Sequence, residues 1–227
     1  MLRGQPREGS LAARLEAFYA PQAAHYDHFR ERLLHGRQTL IDALGIAPGM
    51  HVLELGAGTG RNVDFYADVA PSLASLTLVD LCPSLLAHAR HRVVNWPHAK
   101  LVEADATRFR ATRPFDRIYC SYALSMMPEW SYVLDNACAQ LAPGGLIGVV
   151  DFHVSGARRL PGRVHHGLAT RLFWPWWFAH DGVTVSPAVL ESLLARCEAV
   201  HLFECRGALP YLPGVSVPYF VFVGHPR

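Results

Sequence analysis

Five short apolar runs alternate with helix-like segments between residues 51 and 152, and this alternation constrains the fold of the 227-residue chain more than any other feature. Each run has the length of a buried strand, and the segments between the runs carry helical periodicity or turn signals. Strands that alternate with helices form βαβ units, in which helices cover both faces of a parallel sheet. We therefore predict a doubly wound α/β fold with strands at residues 51–55, 76–80, 100–103, 115–121 and 146–152.

Segments outside these runs complete the predicted architecture. Two helical patterns within residues 11–45 predict an N-terminal helical cap, and Leu-Ala-Pro-Gly-Gly at 141–145 predicts a turn before the fifth strand. Residues 155–185 lose this regularity and predict an aromatic insertion after strand 5. Two closing strands near residues 199–205 and 217–223 have no helix between them, so they should pair antiparallel.

Length and composition indicate a single domain over residues 1–227. The chain is long enough for one well-buried α/β domain and too short for two ordinary ones. Hydrophobic residues make up 51% and charged residues 18%, without the charge runs that are typical of disordered tails or nucleic-acid arms. A net charge of +2 gives no field that would attract a polyanion. We expect a globular protein without a nucleic-acid partner.

Cysteine usage and hydropathy bear on the location of the protein. The five cysteines include no Cys-x-x-Cys pair, so the sequence indicates neither a disulfide framework nor a zinc site, and we expect no metal. Residues 1–10 are polar and are not followed by the apolar core of a signal peptide. No apolar run reaches the roughly 18 residues of a membrane span. We expect a cytoplasmic protein that is open to peripheral contact with the inner face of the membrane.

A glycine-rich segment follows the first predicted strand and opens the next helix. Residues 54–60 read Glu-Leu-Gly-Ala-Gly-Thr-Gly, and glycine lets the backbone approach a ligand closely. Arg61 stands where a dinucleotide fingerprint requires glycine, so the spacing indicates no pyrophosphate site. No lysine followed by Ser or Thr completes a P-loop. The loop is predicted to hold a different ligand through Gly56, Gly58 and Gly60.

Three acidic residues accompany this loop. Glu54 ends the first strand among apolar neighbours, where a carboxylate can hold the ammonium of an amino-acid moiety. Asp80 ends the second strand, where its carboxylate can accept both ribose hydroxyls of a nucleoside. Asp105 follows the third strand beside the same crevice. Together the acids describe a site for S-adenosylmethionine (SAM), although helix capping is the alternative for any one of them.

With these motifs in order, residues 50–150 resemble class I SAM-dependent methyltransferases. The resemblance implies that the glycine loop wraps the methionyl part of SAM, that Asp80 binds ribose and that Glu-Ala-Asp-Ala at 103–106 flanks adenine. It also implies a Rossmann-like seven-stranded sheet with an antiparallel last strand, and S-adenosyl-L-homocysteine as the product. The implied cofactor-binding residues are Glu54, Gly56, Gly58, Gly60, Asp80, Leu81, Asp105, Ala106 and Ser121.

A narrower resemblance covers most of the chain. The sequence is similar to the methyltransferase of betaine-lipid synthesis, which trimethylates the amine of diacylglyceryl-homoserine. It resembles bacterial phosphatidylethanolamine N-methyltransferases less closely. The segments that carry this similarity are residues 26–30, 58–62, 121–130, 173–178, 210–213 and 217–219.

The expected chemistry is alignment more than acid-base catalysis. Methyl transfer from a sulfonium is an in-line displacement, so the protein mainly positions the acceptor and excludes water. An amine acceptor must still lose a proton before each transfer. Candidates after the fourth and fifth strands are Ser121, Tyr122, Asp151 and His153. We assign catalytic roles to Tyr26, Tyr122 and Asp151, and a loop cap is the alternative for Asp151.

The acceptor side should recognise both charges of a betaine head group. A trimethylated amine is a quaternary cation, which aromatic ring faces attract. Tyr26, Tyr122, Trp130 and Tyr211 are candidate walls, with ordinary core packing as the alternative. A carboxylate favours a forked cation, and Arg30 is the candidate because it lies one helical turn beyond Tyr26, with a surface salt bridge to Asp27 as the alternative. The predicted substrate-binding residues are Arg30, Trp130, His153 and Tyr211.

Two further alternatives stay open at the level of the sequence. Residues 158–180 combine arginines and histidines with Trp and Phe, which favours a membrane interface, and a lid over the active site is the alternative. The acceptor is a lipid or a small soluble amine. A nucleic-acid methyltransferase is disfavoured because Cys-Ser-Tyr-Ala at 120–123 replaces the Asn/Asp-Pro-Pro-aromatic signature. A non-catalytic SAM-binding module remains the other class.

Overall fold

A seven-stranded sheet forms the centre of the molecule, in the order β3-β2-β1-β4-β5-β7-β6. The computed structural model describes residues 6, 8–21, 32–210, 212 and 214–227. The strands are β1 (His51–Leu55), β2 (Ser75–Asp80), β3 (Ala99–Glu103), β4 (Phe115–Ser121), β5 (Leu141–Phe152), β6 (Cys197–Ala208) and β7 (Ser216–Pro226).

Helices connect the strands and precede them. Short 3-10 helices add to the α-helices at Arg61–Tyr66, Ala70–Ser72 and Leu124–Met126. The α-helices of the described residues are α1 (Leu11–Tyr19), α2 (Arg37–Leu44), α3 (Pro83–Arg92), α4 (Trp130–Ala139), α5 (Leu168–Ala179) and α6 (Ala188–Arg196).

Strand directions confirm the predicted fold class. Strands β1 to β5 pair in parallel with one another, and β7 runs antiparallel between β5 and β6. The chain order reverses at β1, which lies between β2 and β4. In such a sheet the carboxyl ends of the strands beside the reversal open a crevice that binds ligands. The topology therefore places the expected site at the ends of β1, β2 and β4.

Apolar residues fill both faces of the sheet. Alternate strand residues point to opposite faces, so Val52 packs in one cluster and Leu53 in the other. The first cluster includes Leu40 and Leu44 of α2, and the second includes residues of α4 and α6. Gly148 lets α2 approach β5, because a Cβ there would lie 2.8 Å from Leu40 Cδ1. Helices thus cover both faces, as the doubly wound prediction requires.

One local prediction was wrong, and two predicted helices differ from their patterns in extent or type. The predicted turn at 141–145 is the start of β5, where Leu141 pairs with Phe115 and the register shifts before Arg117. The second N-terminal helix is confined in the described residues to α2, and Leu33 lies in a turn before it. The helix after the glycine loop is a 3-10 helix.

The insertion at 155–185 is more regular than its sequence indicates. It contains α5, a helix of 12 residues that includes Pro175 in its interior. Two of its rings, Trp174 and Phe178, are buried in the core. Within the part of the chain that the structure describes, no helix has the length and apolar character needed to cross a membrane.

Candidate functional site

A cavity of about 440 Å³ opens at the carboxyl ends of β1, β2 and β4, where the strand order reverses. This volume is within the range of small-molecule and cofactor sites. Its walls come from the glycine loop, the ends of β2 and β4, the turn after β3, and α1. The predicted cofactor residues that line it are Gly56, Gly58, Asp80, Leu81, Asp105, Ala106 and Ser121.

The glycines of the loop have different roles. Gly56, Gly58 and Gly60 all adopt positive φ, which favours glycine. Gly56 and Gly58 line the cavity, and a Cβ on Gly56 would clash with Ala123. Gly60 is not among the lining residues, and a Cβ there would lie 3.1 Å from Ala89 of α3. Gly60 therefore serves the packing of α3 against the loop, and the other two admit a ligand.

Asp80 fixes the loop and faces the cavity at once. Its Oδ2 accepts a 2.7 Å hydrogen bond from Gly58 N, and its Oδ1 accepts a 2.9 Å bond from Cys82 N. Burial raises the pKa of the Asp80 carboxyl, and these hydrogen bonds oppose the shift. Asp80 thus accepts backbone hydrogen bonds that hold the loop, and it also lines the cavity. Each of its carboxylate oxygens has a further lone pair that can accept a hydrogen bond from a ligand.

Asp105 and its neighbours form the wall beyond β3. Asp105 Oδ1 accepts hydrogen bonds from Thr107 N (2.8 Å) and Thr107 Oγ1 (2.7 Å), which closes a tight turn. Ala104, Ala106 and Thr107 line the cavity with it. The small apolar side chains and the fixed acid give this end of the cavity a flat wall with one polar edge, which suits a purine.

Glu54, predicted to contact the ligand, is not among the residues that line the cavity. The side chain is fully buried, and it accepts hydrogen bonds from Asn62 Nδ2 (2.6 Å) and Tyr119 Oη (2.9 Å). The Tyr119 hydroxyl in turn lies 3.0 Å from that of Tyr66. Burial raises the pKa of the Glu54 carboxyl to about 7, against the lowering effect of its two hydrogen bonds.

Asn62 stands between Glu54 and the cavity, and sequence reasoning did not assign it a role. It lines the cavity, and its Oδ1 is buried without a hydrogen-bond partner among the described residues. Ser121 Oγ, on the opposite wall, is buried and unpartnered in the same sense. A buried polar atom without a partner costs about 1–3 kcal/mol. Asn62 and Ser121 both line the cavity and each carries such an atom, which fits a polar ligand such as SAM, with its ammonium and hydroxyl groups.

Tyr122 projects into the cavity from a strained position. It is the only non-glycine residue with positive φ (+53°) in the part of the chain that the structure describes. Such a conformation costs about 1–3 kcal/mol and clusters at functional sites. Its hydroxyl donates a 2.6 Å hydrogen bond to the carbonyl of His35, and its ring packs against Phe152. Burial raises the pKa of the phenol well above its usual range, so the group stays protonated.

Three other predicted residues lie outside the cavity wall. Asp151 is buried and accepts hydrogen bonds from Ser125 N (2.9 Å) and Phe152 N (2.8 Å), which is the capping alternative. Burial raises its pKa to about 6. His153 is buried with Nε2 3.3 Å from Glu204 Oε1, and burial lowers its pKa to about 4. Trp130 begins α4 and packs against the core of that face.

The remaining predicted residues cannot be placed. Tyr26, Arg30 and Tyr211 lie outside the described residues. Among the residues that are described, no group of three or more His, Cys, Asp or Glu side chains has the geometry of a metal site.

Helix α1 closes one side of the cavity. Leu11, Leu15 and Tyr19 line the cavity. Glu16, on the same helix, accepts a 2.6 Å hydrogen bond from Ser84 Oγ at the start of α3. This contact ties the N-terminal helix to the sheet domain beside the end of β2.

Comparison with known proteins agrees with this geometry. Residues 52–145 match the sequence profile of a family described as a methyltransferase domain. Trans-aconitate 2-methyltransferase of Yersinia pestis is 26% identical over 124 residues, which are 55% of this chain and 46% of that protein. Demethylmenaquinone methyltransferase of Renibacterium salmoninarum is 29% identical over 142 residues, which are 60% and 57% of the two chains. The chain therefore spans about half the length of these relatives.

A solved structure matches over almost the whole chain. The N-methyltransferase NodS from Bradyrhizobium japonicum WM9, in complex with S-adenosyl-L-homocysteine, superposes with a TM-score of 0.69 at 19% identity. The match covers 95% of this chain and 99% of that one. At this identity the likeness concerns the fold. Residues 52–145 thus match a methyltransferase-domain profile, and they lie within a seven-stranded fold that the chain shares with NodS.

Proposed function

We propose that the protein is a SAM-dependent methyltransferase whose cofactor binds in the cavity at the ends of β1, β2 and β4. The observation that carries the proposal is the meeting of Gly56, Gly58 and Asp80 in that cavity with Asn62 and Ser121, two lining residues that each hold a buried polar atom without a partner among the described residues. The glycines would hold the methionyl part, Asp80 the ribose, and Asp105 with Ala106 the adenine. Bound SAM supplies the electrophilic methyl group.

The wall residues fit a reaction that depends on positioning. The Tyr122 hydroxyl is engaged with His35 and stays protonated, so it orients the acceptor without taking its proton. Leu34, Met126 and Met127 line the same cavity and exclude water from the reacting groups. The proton of an ammonium acceptor would leave before transfer, and we infer no dedicated base among the described wall residues.

For the acceptor, we propose the amine of diacylglyceryl-homoserine, which would be methylated successively to a trimethyl betaine lipid. Support comes from the similarity of the segments at 121–130, 173–178 and 217–219 to the betaine-lipid enzyme. The ring of Tyr122 and the buried cation Arg37 in the cavity wall suit an acceptor that bears an amine and a carboxylate. Tyr26, Arg30 and Tyr211 remain proposed acceptor contacts.

Two other acceptors are alternatives within the same reaction. Phosphatidylethanolamine shares the amine and the diacylglycerol body, and it carries a phosphate in place of the carboxylate. A soluble amine would need only the cavity.

The test is incubation of the purified protein with labelled SAM and a panel of acceptors, followed by mass analysis. The panel contains the homoserine lipid, phosphatidylethanolamine and free small amines. Successive gains of one, two and three methyl groups on the homoserine lipid are expected. Methylation of phosphatidylethanolamine alone, or of free amines alone, would replace the proposed acceptor and leave the methyltransferase assignment standing.

A further inference from the structure

Helix α5 exposes a broad apolar surface to solvent. Leu168, Leu172 and Trp176 follow one another at a spacing of four residues and are 67%, 63% and 72% exposed. Phe173 and Trp177 continue this surface at the same spacing and are also exposed. A contiguous apolar surface of this kind on a soluble domain marks an interaction site.

The opposite side of α5 is apolar as well. Trp174 and Phe178 face inward and are buried in the core. A helix at a protein surface ordinarily presents polar residues on its outer side. The packing of the domain therefore does not explain why the outward side of α5 is apolar. This apolar side suits an apolar partner.

The segment that contains this surface carries basic charge, with Asp181 directly after it and Glu204 paired with its Arg163. Residues 152–180 contain four arginines and no Asp or Glu. Arg158 and Arg159 are exposed next to the exposed Leu160, in the segment that precedes the start of α5 at Leu168. Exposed arginines beside Trp and Leu are complementary to the surface of an anionic membrane, where phosphates meet the acyl region.

The segment that carries these arginines is held firmly on the domain. Glu204 of β6 accepts hydrogen bonds from Arg163 Nε (2.6 Å) and Nη2 (3.2 Å). Ser155 and His166 exchange two hydrogen bonds, from Ser155 N to His166 Nδ1 and from His166 N to Ser155 Oγ. The apolar surface is thus presented on a fixed support.

Ring contacts connect α5 with the cavity. Phe178 stacks on Phe152 with 4.4 Å between centroids, and Phe152 packs at 4.7 Å from the ring of Tyr122. Tyr122 lines the cavity. The exposed side of α5 therefore belongs to an element whose inner side supports the cavity wall.

We propose that α5 is an interfacial helix that lies in the plane of an anionic phospholipid membrane. Leu168, Leu172 and Trp176 enter the boundary of head groups and acyl chains, and Arg158 and Arg159 contact phosphates. We define these three apolar residues as the docking face. This inference rests on the proposed lipid acceptor for its biological role. An acceptor lipid lies in the bilayer, so the enzyme must reach it at the membrane surface.

The test is vesicle co-sedimentation without SAM or acceptor lipid, so that it does not depend on methyl transfer. The docking-face variant Leu168→Ser, Leu172→Ser, Trp176→Ser is compared with wild type. The matched control Val94→Ser, Tyr132→Ser, Val200→Ser removes three exposed apolar residues elsewhere on the surface. Vesicles are phosphatidylcholine alone or phosphatidylcholine with phosphatidylglycerol.

Wild type and the control should bind the anionic vesicles, more weakly as salt is raised, and the docking-face variant should bind at least about tenfold more weakly. Equal binding by all three proteins, or none by wild type, would overturn the inference. Sedimentation velocity tests whether a second copy of the chain, and not a membrane, covers the docking face. A dimer that forms in wild type and is lost in the docking-face variant, with no vesicle binding by either protein, would also overturn the inference. Vesicle binding with no methylation of any lipid would reject the proposed acceptor alone.

Discussion

At the scale of single residues, the site depends on side chains that act through a neighbour. Glu54 does not reach the cavity, but its 2.6 Å hydrogen bond holds Asn62 with the amide nitrogen turned inward. Asn62 lines the cavity, and this orientation leaves its Oδ1 buried without a partner among the described residues. We therefore expect Asn62, held by Glu54, to accept a hydrogen bond from the ammonium of bound SAM.

Replacement of Asn62 should weaken the binding of S-adenosyl-L-homocysteine. We expect Asn62→Ala to raise the Kd about tenfold or more, because a hydrogen bond to a charged group contributes roughly 1.5–3 kcal/mol. Titration calorimetry measures the change, with Asn95→Ala as the control because Asn95 is exposed and outside the cavity. An unchanged Kd in Asn62→Ala, with its thermal unfolding intact, would remove Asn62 from the site.

The raised pKa of Glu54 predicts a specific dependence of stability on pH. The folded-state pKa is about 7 and the ordinary value is 4.5, so the folded protein binds the proton more tightly. This contribution to stability is present below about pH 4.5 and is lost as the pH rises through 7. Between pH 5 and 8, wild type should lose up to about 3 kcal/mol relative to Glu54→Gln.

Urea unfolding of both proteins at several pH values, without cofactor, checks this expectation. The difference between the two proteins isolates Glu54, because Asp151, His153 and the other titrating groups are common to both. A difference in unfolding free energy that stays constant from pH 5 to 8 would show that Glu54 is already ionised in the folded protein.

At the scale of elements, the strands were predictable and the exceptions have physical causes. Strands β1 and β4 begin and end where the apolar runs at 51–55 and 115–121 do. The Pro-Gly-Gly of 141–145 signals a turn by local preference, but pairing of Leu141 with Phe115 extends β5 through it. That pairing is a contact between distant residues, which a local pattern does not contain.

Helix α5 escaped prediction for a different reason. Periodicity identifies a helix only when one side is apolar and the other polar. Apolar residues occupy both sides of α5, and Pro175 lies within it, so the sequence shows neither signal. The feature that hid the helix is the same one that leaves its outer side in need of a partner.

Site residues were predictable where the backbone fixes their position, and less predictable where the direction of the side chain decides whether the residue lines the cavity. Gly56, Gly58 and Asp80 line the cavity as expected, because strand ends and the strand order fix their positions. Asp151 and His153 also end a strand, yet their side chains are engaged within the fold. The sequence places such residues at the correct edge of the sheet without saying which way they point.

At the scale of the whole molecule, one cavity, one cap and one exposed helix form a connected arrangement. Helix α1 closes the cavity from one side, and the stack of Tyr122, Phe152 and Phe178 joins the other side to α5. A cofactor in the cavity and an acceptor from the bilayer would meet near Tyr122. The account depends first on whether the cavity binds SAM, since every later step requires it.

Calorimetric titration of S-adenosyl-L-homocysteine into wild type, Asp80→Ala and Asp68→Ala tests that claim most directly. Asp80 receives two backbone hydrogen bonds at the cavity, whereas Asp68 is exposed and outside it. We predict saturable binding to wild type and Asp68→Ala, and a loss of about a hundredfold or more in Asp80→Ala, because the ribose contact and the order of the loop are both lost. Tight binding of NAD with no response to S-adenosyl-L-homocysteine, or equal affinity in Asp80→Ala, would contradict the account.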